Sequence, residues 1–486
     1  MNKRMKKRNW LFLVPIFGTI FIVGYILAAA NDVVYSDYIR LINSYLPDIW
    51  NPRKFFVADL FTRMPINFLE RIINVYLFGY STIFEMILGA ICLGLSAVVL
   101  TIYCQERQIG TGWYLLLMAV MFSLNKWEMV TNGTGWCHFL AFAGFYFHYL
   151  IWDRAWREEK ESKLLFLLPW LITLGTAGPY CGSYSLVLLL TYGFCCFLDW
   201  KQTKRLNYRY GVYGFHVLAP LSLYLLSNSF AVTEHAGATG RSLLQVLGDH
   251  KDLFPKFIIK SFSSMAVGEE ALMELLTKQN QGMALCYLAG GLVLLGYLLA
   301  LWMQLRAHLY KTTIFPLMLI FAGGCNHLLV LAARWIFENS SYGMSSRYAL
   351  QYQAGIFGIL LTFGLFFSWM KEGQTGIKPE GRARRNRFHC RTRVQRKRMT
   401  FFPEKVMAIL ISLVILAGNG YTTYKEIQKA PARKEYGQKV EAAARNYQEV
   451  PDQELEDLFQ YRHGPEKIRN ALGILEENKW NLYKGN

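Results

Sequence analysis

The sequence predicts an all-α, polytopic integral membrane protein with about eleven transmembrane helices. Hydrophobic residues make up 53% of the 486 residues and are concentrated in long blocks. Blocks of about 20 residues match a bilayer core of about 30 Å. The Lys and Arg residues, which give a net charge of +18, lie in short segments between these blocks. That distribution indicates membrane topology, so the charge does not predict a nucleic-acid partner.

Each apolar block defines one predicted span. In order, the spans cover residues 10–30, 81–103, 113–124, 137–152, 164–178, 184–199, 211–229, 282–304, 313–333, 350–370 and 405–422. The third to the sixth span are short, so their backbone groups need neighbouring helices to shield them from lipid. The first span follows a basic cluster and is expected to be an uncleaved signal anchor.

The basic residues also predict the orientation in the plasma (inner) membrane. With the amino terminus inside, the cytoplasmic segments carry 28 Lys and Arg residues, whereas the outer loops carry 13. The positive-inside rule therefore places the amino terminus in the cytoplasm and the loops 31–80, 230–281 and 334–349 outside. The loop 371–405 holds 12 of the basic residues. We expect this loop to contact anionic lipids, with an acidic protein partner as the alternative.

Two units follow from this topology: a membrane domain, 1–422, and an extracytoplasmic tail, 423–486. The tail is polar and charged, and its apolar residues recur at helical spacing. We therefore expect a small helical appendage that packs against the outer loops.

The first outer loop, 31–80, holds the leading candidates for chemistry. Asp32 and Asp37 follow the first span directly, and a carboxylate at the membrane edge is costly to desolvate. Both are candidate catalytic bases, and the alternative is that they cap helices or lie solvated in the loop. After Pro65, apolar and polar residues separate onto two helical faces, which predicts an interfacial helix lying in the membrane surface.

A second polar segment, 125–138, lies between the third and fourth spans. Glu128 is a candidate second acid, although it could instead pair with Lys126. Trp136 suits either an interface anchor or a surface that stacks on a sugar. His138 accompanies it as a candidate for substrate binding.

Two arginines on the predicted outer side are candidate ligands for a substrate. Arg347 and its neighbour Tyr348 precede the tenth span, and a guanidinium there can hold a phosphate bidentately. The alternative is an arginine that extends to the interface or forms an ion pair. Arg63, in the first outer loop, is a further candidate. His327 lies inside a span and predicts a hydrogen bond between helices.

The nine cysteines show neither a CxxC motif nor a Cys/His cluster with metal-binding spacing, so no metal site is predicted. Cys137 and Cys181 both fall near the predicted outer surface. A disulfide between them is therefore left open.

At these residues the chain resembles polytopic glycosyltransferases of the GT-C superfamily. It is also similar to poorly characterised bacterial membrane proteins of this type that end in a short helical outer tail. The resemblance rests on Asp32 and Asp37 after the first span, the helix after Pro65, the short middle spans, and Ser346-Arg347-Tyr348. The first loop lacks the adjacent Asp-Asp pair of some relatives, so the resemblance does not choose between the two aspartates.

The resemblance implies an enzyme that transfers a sugar from a polyprenyl-phosphate donor to a glycan, lipid or polymer acceptor of the cell envelope. Asp37, or Asp32, would deprotonate the acceptor hydroxyl, and Arg347 would hold the donor phosphate. No cofactor is certain, and a divalent cation is left open.

Three other functions compete with this one. A polysaccharide polymerase or ligase of the O-antigen or capsule type would act on similar lipid-linked glycans. A transporter or flippase of such glycans is a second alternative, but the main acids lie in loops rather than within spans. A non-catalytic membrane scaffold is the third. The sequence contains no Walker loop, HExxH or GxSxG motif, which argues against a cytosolic nucleotide-using domain.

Overall fold

The computed structural model describes residues 8–51, 53, 65–158, 162–228, 238–279, 283–375 and 402–484. These residues form helices and no strands, which confirms the all-α prediction. In chain order the α-helices are α1 (Leu13–Ala29), α2 (Asp37–Tyr45), α3 (Ile66–Phe78), α4 (Thr82–Glu106), α5 (Thr111–Met121), α6 (Trp127–Val130), α7 (Trp136–Glu158), α8 (Leu164–Gly175), α9 (Cys181–Thr203), α10 (Arg209–Asn228), α11 (Leu243–Asp249), α12 (Leu253–Ala266), α13 (Glu269–Gln279), α14 (Ala284–Arg306), α15 (Phe315–Arg334), α16 (Ala349–Thr375), α17 (Phe402–Arg445), α18 (Asp452–Phe459) and α19 (Pro465–Glu477).

Several of these helices identify a membrane protein. Seven stretches of the described chain are long and apolar enough to cross a bilayer: Asn9–Ala29, Thr82–Glu106, Gly178–Thr203, Ala284–Arg306, Phe315–Phe337, Ser346–Met370 and Pro403–Arg445. The other four predicted spans also coincide with helices, namely α5, α7, α8 and α10. Two of them, α5 and α8, have only 11 and 12 residues. At 1.5 Å per residue they are too short to cross alone, so a count of eleven stays a prediction.

Segments that the sequence assigns to the cytoplasmic side meet at one end of the bundle. We call this end the inner end, after the predicted orientation. Arg157 donates to Glu106 at 2.8 Å and to Asp153 at 2.8 Å. Arg154 donates to Glu106 at 2.9 Å. Asp153 is fully buried and accepts the backbone N–H of Ile314 at 2.7 Å. The carboxylate thereby caps the start of α15, because the first N–H groups of a helix lack intrahelical partners.

The tail is continuous with the membrane domain. Helix α17 runs for 44 residues across the boundary predicted between 422 and 423. The carboxy-terminal half of α17, which we call its outer half, lies along the end of α1. There Lys434 Nζ donates to the carbonyls of Leu27 at 3.0 Å and Ala30 at 2.7 Å. The later helices α18 and α19 share a hydrophobic cluster with α2. The structure therefore places the predicted appendage against the first outer loop, but as an extension of a membrane helix.

Helix α3 matches the predicted interfacial helix, with one difference. Its apolar face, including Leu69, Ile73 and Leu77, is exposed, as expected for contact with lipid. The opposite polar face is buried rather than solvated. Arg71 stacks 3.8 Å over the Tyr45 ring, and Asn74 donates to Glu85 at 3.1 Å. The polar face packs against protein because α2 and α4 supply partners for its side chains.

In the predicted outer loop 230–281, α12 enters the bundle. Its last carbonyls accept hydrogen bonds from asparagines of other segments. Asn125 Nδ2 donates to Ser264 at 2.8 Å, and Asn419 Nδ2 donates to Met265 at 3.0 Å. This packing brings the start of α13 to the same end of the bundle as Asp32 and Arg347, the end we call outer.

Candidate functional site

A cavity of about 380 Å³ lies at the outer end, between the end of α1, the first outer loop, α6, α13 and the outer half of α17. Part of the wall is apolar, with Ala29, Val33, Met86 and Val440. The rest carries charged, polar and aromatic side chains: Tyr35, Trp127, Glu128, Glu270, Arg347, Lys429, Arg433, Tyr436 and Gln460. A concave site with an apolar wall and a few convergent polar groups is typical of small-ligand binding.

Glu128 and Arg347, both predicted site residues, form a direct ion pair in this cavity. Arg347 donates through Nε to Glu128, and the Ser346 hydroxyl donates to the other Glu128 oxygen at 3.0 Å. The arginine side chain is 50% exposed. Its two terminal nitrogens make no hydrogen bond to any residue that the structure describes. Glu128 therefore orients the guanidinium while leaving one edge of it available to a phosphate.

A second group of ion pairs ties α13 to α17 on another wall. Glu270 accepts from Lys429 at 2.6 Å and from Arg433 at 3.1 Å. Arg433 also pairs with the buried Glu426 at 2.5 Å, and its guanidinium lies 3.1 Å from the centre of the Trp127 ring. These groups satisfy one another, so this wall is held rigidly and offers little free charge.

Asp37 is the first residue of α2 and adjoins the cavity through Ser36, which lines it. The carboxylate is 47% exposed and its nearest cation is Arg40, 3.6 Å away. Asp37 is thus an accessible carboxylate beside the site, although it does not line the cavity itself.

Asp32 has a different environment. One oxygen accepts the Thr82 backbone N–H at 2.6 Å and the Asn481 amide at 3.2 Å, and the other accepts the Ser81 hydroxyl at 2.8 Å. The carboxylate therefore stabilises the start of α4 and joins it to the tail. A general base needs a free lone pair near its substrate, so this geometry favours Asp37.

The remaining predicted residues lie away from the cavity wall. Trp136 is buried, and His138 packs edge-on against the Tyr180 ring at 4.9 Å. Tyr348 is buried and accepts from Arg334 Nε at 2.8 Å. Arg63 lies outside the described residues. Trp127, the other tryptophan of segment 125–138, is the one that lines the cavity.

Two smaller expectations have clear outcomes. Cys137 and Cys181 are both free, so the disulfide left open between them is wrong for this structure. His327 Nδ1 lies 2.8 Å from the Ser261 hydroxyl, which makes the predicted bond between two helices.

Several residues at or next to the site were not predicted from the sequence: Lys429 and Arg433 line the cavity, and Glu269 adjoins it through Glu270. Glu269 has no ion pair or hydrogen bond within the described residues, and burial raises its pKa to about 7, assisted by Glu128 and Glu270. Lys429 and Arg433 were assigned to a separate tail. The available signal was their i, i+4 spacing, which puts them on one face of α17. Pro431 between them is a helix-breaking signal, which hid that α17 continues through this segment.

Within the described residues, no group of three or more His, Cys, Asp or Glu side chains could hold a metal ion. The two carboxylates that line the cavity, Glu128 and Glu270, are engaged by Arg and Lys side chains. Comparison with known proteins found no matching family model, curated protein or solved structure.

Proposed function

We propose that this chain is a membrane glycosyltransferase that transfers a sugar from a polyprenyl-phosphate donor to a cell-envelope glycan, lipid or polymer acceptor at the outer face. One observation supports it above the others. An arginine with an unused edge, Arg347, lines the cavity at the predicted outer end of the bundle, and an accessible carboxylate, Asp37, adjoins that cavity through Ser36.

In this proposal Arg347 binds the donor phosphate. Glu128 and Ser346 fix its orientation, so the terminal N–H groups are preorganised before the donor arrives. When the bond between the anomeric carbon and the phosphate oxygen breaks, negative charge develops on that oxygen. A fixed guanidinium stabilises this charge more in the transition state than in the ground state.

Asp37 accepts the proton of the acceptor hydroxyl. The acceptor oxygen forms a bond to the anomeric carbon while the polyprenyl phosphate leaves, so a single displacement inverts the configuration at that carbon. A carboxylate is suited to this role when it lies at the nucleophile and keeps a free lone pair. The apolar wall at Ala29, Val33 and Met86 supplies contacts for the first isoprene units.

Binding of undecaprenyl phosphate to the purified protein in nanodiscs, measured by native mass spectrometry, tests the arginine. Arg347→Ala is expected to weaken binding by at least tenfold, because a charge-assisted phosphate contact is lost. Arg241→Ala is the matched control, since Arg241 is an outer-loop arginine paired with Glu338 at 2.9 Å away from the cavity. A wild-type protein that fails to bind undecaprenyl phosphate would contradict the proposal.

Transfer itself is measured as release of undecaprenyl phosphate from a panel of undecaprenyl-phosphate hexoses and pentoses in the presence of envelope extract. Asp37→Asn is expected to lower turnover by about 10²–10⁴-fold, because proton transfer is lost. Its affinity for undecaprenyl phosphate should be unchanged. Full turnover in a folded Asp37→Asn variant would remove Asp37 from the mechanism.

A further inference from the structure

The tail forms part of the cavity wall, which an appendage would not do. Tyr436 and Gly437 come from the outer half of α17, and Gln460 comes from the turn after α18. All three face the same cavity as Arg347. The last part of the chain is therefore in a position to contact whatever the arginine holds.

This wall is locked to the loop that carries Asp37. The Ser36 backbone N–H donates to the Phe459 carbonyl at 2.7 Å. Ser36 has φ +54° and Gln460 has φ +50°, so two non-glycine residues in the left-handed region meet at this contact. Such conformations are uncommon and persist where the surrounding structure enforces them, often at binding sites.

The Gln460 side chain is oriented by a short chain of hydrogen bonds. Its Nε2 donates to the Tyr436 hydroxyl at 3.1 Å, and that hydroxyl donates to the Leu458 carbonyl at 2.6 Å. The side-chain carbonyl oxygen of Gln460, Oε1, has no hydrogen bond to a described residue. The amide thus presents one free acceptor and one free N–H, and this pair matches a hydroxyl, which both donates and accepts.

We infer that Gln460 is a specificity-determining residue that contacts a hydroxyl of the donor sugar, and that Tyr436 is the positioning residue that orients its amide. The inference rests on the proposed function, because the sugar follows directly after the phosphate that Arg347 would hold. A site that hydrogen-bonds a substrate hydroxyl discriminates strongly against analogues that lack it, since its own polar groups are then left unpaired.

The test compares two ligands of the same lipid, undecaprenyl phosphate and an undecaprenyl-phosphate sugar, by native mass spectrometry in nanodiscs. For the preferred sugar, the wild type should bind the sugar-bearing lipid about tenfold more tightly than the bare phosphate, the scale of one or two hydrogen bonds. Gln460→Ala should abolish that difference and leave the affinity for bare undecaprenyl phosphate unchanged. Tyr436→Phe should reduce the difference in affinity between the two lipids by a smaller factor.

Gln453→Ala is the matched control, because Gln453 is an exposed glutamine of α18 bonded to Asp457 and does not line the cavity. A sugar-dependent difference that is absent in the wild type, or that survives in a folded Gln460→Ala variant, overturns the inference and leaves the proposed function intact. Failure of the wild type to bind bare undecaprenyl phosphate counts against the proposed function instead. In turnover, Gln460→Ala should raise KM for the preferred donor, because a contact to its sugar is lost.

Discussion

The inner and outer ends of the bundle each contain a network of ion pairs, but within the described residues it is the outer network that has a free guanidinium edge beside the cavity. At the inner end, Asp153 is fully buried, caps α15 and is held by Arg157. At the outer end, Arg347 is half exposed with free terminal nitrogens beside a cavity. The comparison shows that an ion pair by itself does not mark a site. A binding site also needs hydrogen-bonding groups without a protein partner, next to a cavity that a ligand can enter.

The largest expected effects separate the two ends. Arg157→Ala should lower the free energy of unfolding by about 3 kcal/mol, because it leaves the buried Asp153 without its cation. Activity per folded molecule should be unchanged. Arg347→Ala should leave stability almost unchanged and lower turnover by about 10²–10³-fold, the usual cost of one lost electrostatic donor. Denaturation in nanodiscs measures the stability of each variant, and the release of undecaprenyl phosphate measures its turnover. If both variants lose stability and neither loses turnover, the distinction between the ends fails.

The next comparison lies within the first outer loop. Asp32→Ala should destabilise the protein by about 1–2 kcal/mol, because the carboxylate caps α4 and bonds to Asn481. Asp37→Ala should change stability by less than about 0.5 kcal/mol, since the cation paired with it in the described residues, Arg40, is 3.6 Å away. Thermal unfolding of the two variants side by side measures the difference. Equal destabilisation would show that Asp37 is also a structural cap.

The smallest expected effect concerns Glu269 and pH. Burial raises the pKa of this carboxyl to about 7, above the ordinary value of 4.5. The folded state then binds more protons than the unfolded state between about pH 4.5 and 7, so stability falls as the pH rises through that window. Glu269→Gln should therefore be more stable than the wild type at pH 8, by no more than about 1 kcal/mol after solvent screening, and equal at pH 4. Glu454→Gln, at an exposed position of α18, is the control and should show no such pH dependence.

Much of the fold could be predicted from the sequence, because apolar blocks predict membrane-spanning helices and basic segments predict the cytoplasmic side. Each predicted span coincides with a helix, and the polar turn containing Glu128 does reach Arg347. Side-chain patterns along α3 likewise predicted a helix with one apolar face, since amphipathicity is a local property.

The parts that were missed depend on contacts between distant segments. The role of Asp32 is set by Ser81, Thr82 and Asn481, which no local pattern connects to it. The entry of α12 into the bundle depends on asparagines far away in the chain. Glu270 belongs to the site only because α17 continues outward and brings Lys429 and Arg433 to it.

The cavity is enclosed by residues from the beginning and the end of the sequence, since Tyr35 and Gln460 both line it. A nascent chain that has inserted every predicted span but has not yet folded α18 against α2 therefore has an unfinished pocket. Under the proposed function, such a chain would not sequester the lipid carrier during its own synthesis. Ligand capture would thus begin only once α18 has folded.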